Sequence, residues 1–295
     1  MTPHDVLIGA VFAGAIAWIA WRVRALTPGG AVAAFVVGTL TYATGTIAFT
    51  LVLLAFFVPS VVLSRFGRAR KRGLVDVGKH GARDAMQVLA NGGVATACAV
   101  GWAATHDVRW AVAFAGAYAA ATADTWATEI GTLARRPPRS ILTLRPVATG
   151  MSGGITLPGT LAEIAGAVWL AVVAAVAIRV FLLEPYAPLH TVDLNALRAA
   201  LALTPFEHWH GGLHSALGVA FAGVLGATLD SVLGATGQEL RRCDVCGRTC
   251  ETDPHACGNR TRLVRGVRGF SNDVVNLLAT AAGAAVAVVL PYVLR

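Results

Sequence analysis

Apolar residues recur along the chain in eight runs, separated by shorter segments rich in polar residues, Gly or Pro. The runs cover about 6–26, 29–43, 45–64, 86–104, 108–128, 156–183, 213–236 and 272–292. A helix needs about 20 apolar residues to cross a bilayer. The second run is shorter, and Thr44-Gly45-Thr46 fits a hinge or tight turn after it. We predict an all-α polytopic membrane protein with about eight transmembrane helices, or seven helices and a re-entrant hairpin.

The composition favours the same class. Hydrophobic residues make up 56% of the 295 positions and charged residues only 14%, which is too apolar for an ordinary soluble domain. The 32 Gly residues suit membrane helices in close contact, because a missing side chain lets two backbones approach. We expect one integral membrane domain over residues 1–295, with a Cys-rich loop at 239–271 inserted before the last helix.

Positive charge is distributed unevenly between the two sides of this layout. Twenty of the 24 Lys and Arg residues fall on one side, which the positive-inside rule makes the cytoplasmic side of the cell (inner) membrane. Both termini are then outside. Topology and contact with the lipid bilayer account for the net charge of +8. The chain contains no recognition helix or basic-aromatic module, so we exclude a nucleic-acid partner.

Polar residues interrupt four of the apolar runs, all toward the same basic side. They are Gln87, Asn91, Asp124, Glu129, Asp230, Asn272, Asp273 and Asn276. A carboxylate at a helix centre costs about 2.5–3.5 kcal/mol, and several at one depth would repel one another. A divalent cation bound between them would relieve that repulsion. The alternative is that these groups cap helix ends, which suits Asp273 but not Asp230, because Asp230 is too deep.

Two basic-side loops have features of a phosphate site. The segment 150–160 contains four Gly together with Ser152 and Thr156, and it precedes a helix N-terminus, where free N–H groups favour anions. The segment 65–83 contains seven Lys or Arg, which bind phosphate or serve only topology and anionic lipid. The residues selected as phosphate ligands are Ser152, Gly153, Gly154, Thr156, Arg65, Lys71, Lys79 and Arg83.

Four of the five cysteines lie in the loop CDVCGRTCETDPHACG. A Cys-x-x-Cys-Gly turn followed by His-x-Cys resembles a small zinc knuckle, and a cytoplasmic loop disfavours disulfides. We expect a structural Zn²⁺ held by Cys243, Cys246, Cys257 and either His255 or Cys250, with His255 preferred.

Seven strings in order resemble the integral membrane family catalogued as domain of unknown function 92, which includes plant phytyl-phosphate kinases and a widespread animal transmembrane protein. The strings are LTPGGAVAAFVVGTL (26–40), FFVPSVVLSRFG (56–67), RDAMQVLANGG (83–93), ADTWATEIG (123–131), SGGITLPGTLAE (152–163), DSVLGATGQ (230–238) and SNDVVNLLATAAGA (271–284). The resemblance implies a membrane enzyme that phosphorylates an isoprenoid monophosphate with CTP or another nucleoside triphosphate. It selects Asn91, Asp124, Glu129, Ser152, Gly153, Gly154, Thr156, Asp230, Asn272, Asp273 and Asn276.

The combined hypothesis is a Mg²⁺-dependent prenyl-phosphate kinase. Its catalytic, metal-binding carboxylates are Asp124, Glu129, Asp230 and Asp273. Its remaining substrate or nucleotide ligands are Gln87, Asn91, Asn272, Asn276 and the phosphate ligands named above. The alternatives are a lipid cytidylyltransferase-like enzyme and an ion or solute transporter that uses the buried carboxylates. A homo-oligomer is compatible with the sequence.

Overall fold

The computed structural model describes residues 1–67, 81–183, 213–255 and 257–293, without the side chains of 213–215 and 291–293. This part of the chain contains seven α-helices, and six of them have the length and hydropathy to cross a bilayer. In chain order they are α1 Pro3–Arg22, α2 Pro28–Arg65, α3 Ala85–Thr105, α4 Val108–Gly131, α5 Leu157–Ile178, α6 Leu213–Thr236 and α7 Asn272–Val293. A π-helical turn, Arg179–Leu183, follows α5. The predicted all-α membrane fold is confirmed.

Helix α2 is one element in outline but folds back on itself. It has 38 residues, and a straight helix of that length would be about 57 Å long. Thr46 has a non-helical backbone with φ 50° and ψ −139°. Arg65 Nη2 donates to Val23 O at 2.7 Å, so the end of α2 returns to the residues just before its start. The break lies in the predicted turn at 44–46, whereas the total of eight crossings stays a prediction.

Helix α4 is the central helix, and it is the one helix not among the six apolar candidates. Every residue from 111 to 123 is buried, by neighbouring helices rather than by lipid. Small residues make this contact possible. A Cβ on Gly116 would lie 2.4 Å from Gly283 O of α7, and a Cβ on Gly226 of α6 would lie 2.5 Å from Ala120 Cβ. Glycine at these positions therefore fixes how closely α6 and α7 approach α4.

Large apolar side chains cover the outside of the helices. Leu7, Val11 and Trp18 of α1 and Leu161 of α5 are each more than half exposed. Soluble monomers rarely expose contiguous apolar surface on this scale. A lipid environment explains the pattern, because the bilayer solvates these side chains.

Two small sheets occupy connections between helices. β1 Arg139–Ser140 pairs with β2 Gly154–Ile155 in the connection from α4 to α5. β3 Leu240–Cys243, β4 Thr249–Cys250 and β5 Thr261–Arg265 form a sheet of order β4-β3-β5 between α6 and α7. The Cys-rich segment predicted as a loop is therefore a folded three-stranded unit.

Both sheets lie at one end of the bundle, which we call the loop end. Here α1, α4 and α6 finish, and α3, α5 and α7 begin. Backbone hydrogen bonds join the segments at this end: Thr27 N donates to Arg83 O at 3.0 Å, and Arg83 N donates to Ala25 O at 2.9 Å. Arg109, in contrast, lies at the opposite end, in the first turn of α4. Which end faces the cytoplasm stays a prediction.

Candidate active site

Four acidic side chains from different segments converge at the loop end. Asp124 of α4 interacts electrostatically with Glu163 of α5. Asp230 of α6 interacts with Asp124, Glu163 and Glu251, the residue that follows β4. We call Asp124, Glu163, Asp230 and Glu251 the carboxylate cluster. The sequence had indicated Asp124 and Asp230 but had missed Glu163 and Glu251.

Glu163 is a buried carboxylate on α5. Its side chain is 9% exposed, and Thr228 Oγ1 donates to Glu163 Oε1 at 3.2 Å across the α5–α6 contact. A signal for it was present in the sequence, since Glu163 interrupts the apolar run 156–183 just as Asp230 interrupts its own run. The cost of burying a charge should have selected both residues.

Asp230 has an enclosed oxygen with no protein hydrogen bond. No described residue gives a hydrogen bond to Asp230 Oδ2, although this atom is buried. A buried carboxylate oxygen left in this way is costly unless a cation or water satisfies it. The donor atoms around it are carboxylate oxygens, which is the chemistry that Mg²⁺ prefers. The cluster therefore fits a divalent cation in its chemistry.

The carboxylates do not form a closed cage. Within the described ranges, only one group of three or more His, Cys, Asp or Glu side chains has its ligand atoms close enough to share an ion, and it lies in the Cys-rich unit. Mg²⁺ commonly keeps several waters and takes only one or two carboxylates together with substrate phosphates. Open binding of that kind does not require the carboxylates to enclose the ion.

The other two predicted carboxylates lie beside the cluster. Glu129 interacts with Asp124 and with Arg83, which lies just before α3. Asp273 is 6% exposed and interacts with Glu251. The structure therefore connects all four predicted acidic residues. Asp124 interacts directly with Glu129 and Asp230, and Asp273 is linked to them through Glu251.

The glycine-rich loop lies directly against the helix that contains Asp230. Gly153 has φ +79°, and a Cβ there would lie 2.4 Å from Ala235 Cβ and 2.7 Å from Ser231 O. Ser152 Oγ donates a hydrogen bond to Glu251. The predicted phosphate ligands Ser152, Gly153 and Gly154 are therefore beside the carboxylate cluster.

Thr156 has a structural role at the same place. It is the N-cap of α5, and its Oγ1 accepts a hydrogen bond from Gly159 N at 3.1 Å. A cap of this kind contributes about 1 kcal/mol to a helix. The residue predicted as a phosphate ligand thus fixes the N-terminus of the helix that holds Glu163.

Glu251 lies outside the helices, in a protein environment that suppresses its charge. The pKa of Glu251 is raised to about 7, mainly by burial and also by the charges of Asp273 and Glu239, while Ser152 and Arg265 act in the opposite direction. Arg265 Nη2 donates to Gly234 O at 3.0 Å, and its buried Nε has no hydrogen-bond partner among the residues described. Arg265 thus places a cation beside the carboxylates, a contribution that the sequence analysis did not identify.

An apolar groove runs between α1, α2, α3 and α4. Its walls include Phe12, Ile16, Ala34, Val37, Leu53, Leu54, Phe57 and Tyr118, and its polar lining is Arg83, Gln87 and Asn91 with hydroxyls from α2 and Tyr118. Arg83 Cζ lies 5.9 Å from the centre of the Phe56 ring. We call this feature the groove. It offers an apolar cavity with a cationic group at its loop end.

Several other predicted ligands have structural partners. Gln87 forms a capping box with Asp84, in which Gln87 N donates to Asp84 Oδ1 at 2.9 Å. Asn91 Nδ2 donates to Gln87 O at 2.9 Å. The Arg65 guanidinium is bound to Val23 O. Lys71 and Lys79 lie outside the described residues.

The two predicted asparagines of the last helix occupy its first turns. Asn272 is the first residue of α7. Asn276 is 8% exposed and lies on the face of Asp273, one turn further along. Both therefore lie with Asp273 in the first turns of α7, at the loop end.

Comparison with known proteins places this arrangement in a family. The family model of integral membrane protein DUF92 matches residues 11–284, which include every member of the carboxylate cluster. The chain belongs to the DUF92 family. The resemblance read from the ordered motifs is thereby confirmed.

Relatives of this DUF92 protein occur in plants and archaea. Protein PGR of Arabidopsis thaliana is 29% identical over 294 residues, covering 94% of this chain and 93% of the plant protein. An uncharacterized membrane protein of Methanocaldococcus jannaschii is 36% identical over 121 residues, covering 40% of this chain and 49% of the archaeal protein. No solved structure matches the chain.

Proposed function

We propose that this DUF92 protein is a membrane-embedded, Mg²⁺-dependent phosphoryltransferase that converts an isoprenoid monophosphate to its diphosphate with CTP or another nucleoside triphosphate. The observation that supports this most strongly is the carboxylate cluster beside a glycine-rich loop, with an apolar groove in the same bundle. A water-soluble phosphate donor and a membrane-soluble acceptor could both reach such a place.

The carboxylates would hold the ion and the donor. Asp124 and Asp230 are the residues we expect to bind Mg²⁺, because Asp230 Oδ2 is buried without a protein partner. When bound, Mg²⁺ would neutralise charge on the donor phosphates. The N–H groups around Gly153 and the Arg265 guanidinium would accommodate the remaining phosphate oxygens.

The groove would hold the acceptor. An isoprenoid chain has only apolar surface to bury, and the groove offers side chains such as Phe12, Ile16 and Leu53. Arg83 lies on the loop-end side of the groove and interacts with Glu129 of the same helix as Asp124. Its guanidinium would bind the acceptor phosphate and bring it toward the donor.

The reaction needs little covalent chemistry from the protein. An acceptor phosphate oxygen attacks the donor γ-phosphorus, a new P–O bond forms, and the bond from the γ-phosphorus to the bridging oxygen breaks. The products are the prenyl diphosphate and the nucleoside diphosphate. The acceptor is already ionised, so positioning and charge neutralisation do most of the work.

Product analysis tests the proposal. The purified full-length protein is incubated with Mg²⁺, CTP or ATP, and prenyl monophosphates of several lengths. Nucleoside diphosphate and prenyl diphosphate support the kinase. Pyrophosphate with a nucleotidyl lipid instead supports cytidylyltransfer, in which attack occurs at the α-phosphorus. Neither product with any pair, together with cation flux in liposomes that Asp230→Asn abolishes, supports transport and contradicts the proposal.

A further inference from the structure

We propose that Cys243, Cys246, His255 and Cys257 bind one structural Zn²⁺ that fixes the Cys-rich unit, and with it Glu251, over the loop end of the bundle. All four ligand atoms lie within 4.8 Å of one another, and among the described residues these side chains are the one set close enough to bind a single metal ion. The inference is independent of the reaction, since it rests on the geometry of the Cys-rich unit alone.

The distances match a tetrahedral zinc site. With Zn–S near 2.3 Å and Zn–N near 2.0 Å, tetrahedral angles give about 3.8 Å between two sulfurs and about 3.5 Å between nitrogen and sulfur. The Cys243–Cys257 and Cys246–Cys257 Sγ pairs are 3.6 and 3.9 Å apart. His255 Nδ1 lies 3.4 Å from Cys246 Sγ and 2.9 Å from Cys257 Sγ. Of these four separations, three agree within about 0.2 Å, and the fourth needs a small movement of the ring. The two remaining pairs, Cys243–Cys246 and Cys243–His255, lie within 4.8 Å.

The geometry also indicates whether His255 or Cys250 is the fourth ligand, which the sequence left open. Cys250 is buried on β4, its Sγ donates to Thr252 O at 3.4 Å, and it is not among the four residues whose ligand atoms lie within 4.8 Å of one another. His255 therefore completes the site. All five cysteines of the chain are free, and the shortest sulfur pair here is far longer than the about 2.05 Å of a disulfide.

Hydrogen bonds around the group resemble the outer shell of a metal site. Asn259 Nδ2 donates to Cys257 Sγ at 3.3 Å. Gly247, with φ +69°, forms the turn after Cys246, and its N donates to Cys243 O at 2.9 Å. The amide donor orients the Cys257 sulfur, and the glycine turn directly after Cys246 holds the two cysteines of the Cys-x-x-Cys pair on one side of the turn.

The consequence of the site is the placement of Glu251. The ligands come from β3, the β3–β4 turn and the segment before β5, so one ion would join all three parts of the unit. Glu251 directly follows β4, and its carboxylate accepts from Ser152 of the glycine-rich loop. A small sheet with few buried apolar side chains has little other stabilisation, and a closed four-ligand zinc site supplies it.

Metal analysis of the purified full chain tests the site. We expect about one Zn²⁺ per chain. Cys246→Ser and His255→Ala each remove it, whereas Cys250→Ser and Cys98→Ser keep it. Substitution with Co²⁺ gives the visible spectrum of tetrahedral thiolate coordination in the wild type. This readout does not depend on the ligand variants folding, and it is separate from any phosphoryl transfer.

Placement of Glu251 is tested by hydrogen exchange. Removal of zinc by a thiol-reactive mercurial should increase amide exchange in 240–265 and leave α4 protected. The proposal is overturned if the wild-type protein contains no zinc and gives no spectrum of tetrahedral Co²⁺. Loss of zinc in Cys250→Ser equal to that in His255→Ala would overturn the ligand assignment. Unchanged exchange after zinc removal would overturn the structural role.

Discussion

The contact between the glycine-rich loop and α6 can be tested at Gly153. Replacement by Ala adds two costs. A left-handed backbone with a Cβ costs about 1–2 kcal/mol. The new methyl would also lie 2.4 Å from Ala235 Cβ and 2.7 Å from Ser231 O, and overpacking of this kind costs about 1–3 kcal/mol. We therefore expect Gly153→Ala to lower the free energy of unfolding by about 2–5 kcal/mol in total.

Two matched variants separate these costs. Gly269 also has a positive φ, +84°, but a Cβ there meets nothing within 4 Å, so Gly269→Ala should lose only about 1–2 kcal/mol. Gly218 of α6 has open space around it, so Gly218→Ala should gain about 0.5–1 kcal/mol. The assay is equilibrium unfolding of the detergent-solubilised protein by denaturant, followed by tryptophan fluorescence. The close contact would be refuted by a Gly153→Ala variant no less stable than Gly269→Ala.

Three further predictions follow from the packing, the site and the groove. Gly116→Ala places a methyl against the backbone of α7 and should cost about 1–3 kcal/mol in the same unfolding assay, whereas Gly93→Ala, which meets nothing within 4 Å, should not destabilise. The pKa of Glu251 is raised from 4.5 to about 7, so the folded protein keeps this proton to a higher pH than the unfolded chain does. The free energy of unfolding should therefore fall by about 1–3 kcal/mol as the pH rises from about 4.5 to 7. Glu251→Gln should remove this part of the pH dependence when the free energy of unfolding is measured without magnesium. An unchanged pH dependence would show that Glu251 is not a buried, titrating group. Ala34→Trp fills the groove and should raise KM for long prenyl monophosphates more than for short ones. Val36→Trp, at an exposed position, should leave KM unchanged for both the long and the short substrates.

The sequence predicted the membrane fold well because hydrophobic length is a local property. Each apolar run became a helix or an arm of one, and the turn at 44–46 coincides with the break at Thr46. Helix α4 shows the limit of this reasoning. Hydropathy cannot tell burial by lipid from burial by protein, and the contact between Gly116 and Gly283 depends on how distant segments pack.

The site was predictable in part, for a related reason. Asp124 and Asp230 could be found because each interrupts an apolar run, and Glu163 could have been found by the same rule. Glu251 could not, since it lies in a polar loop where a carboxylate is ordinary. Only the fold of the β4-β3-β5 sheet brings it to Ser152. Gln87 forms a capping box with Asp84 and also lines the groove, so its role as a ligand stays a prediction.

In the proposed reaction, the carboxylates at the loop end bind the ion that supports phosphoryl transfer. The most direct measurement compares transfer of labelled γ-phosphate to a prenyl monophosphate by Asp230→Asn and Asp107→Asn, across a Mg²⁺ titration. Asp107 caps α4 at the opposite end, and Asn caps a helix about as well as Asp, so this control should keep the wild-type rate. We predict that Asp230→Asn loses at least about 100-fold in kcat, the scale of removing one preorganised electrostatic group, while remaining folded. Equal rates and equal Mg²⁺ dependence in the two variants would contradict the account.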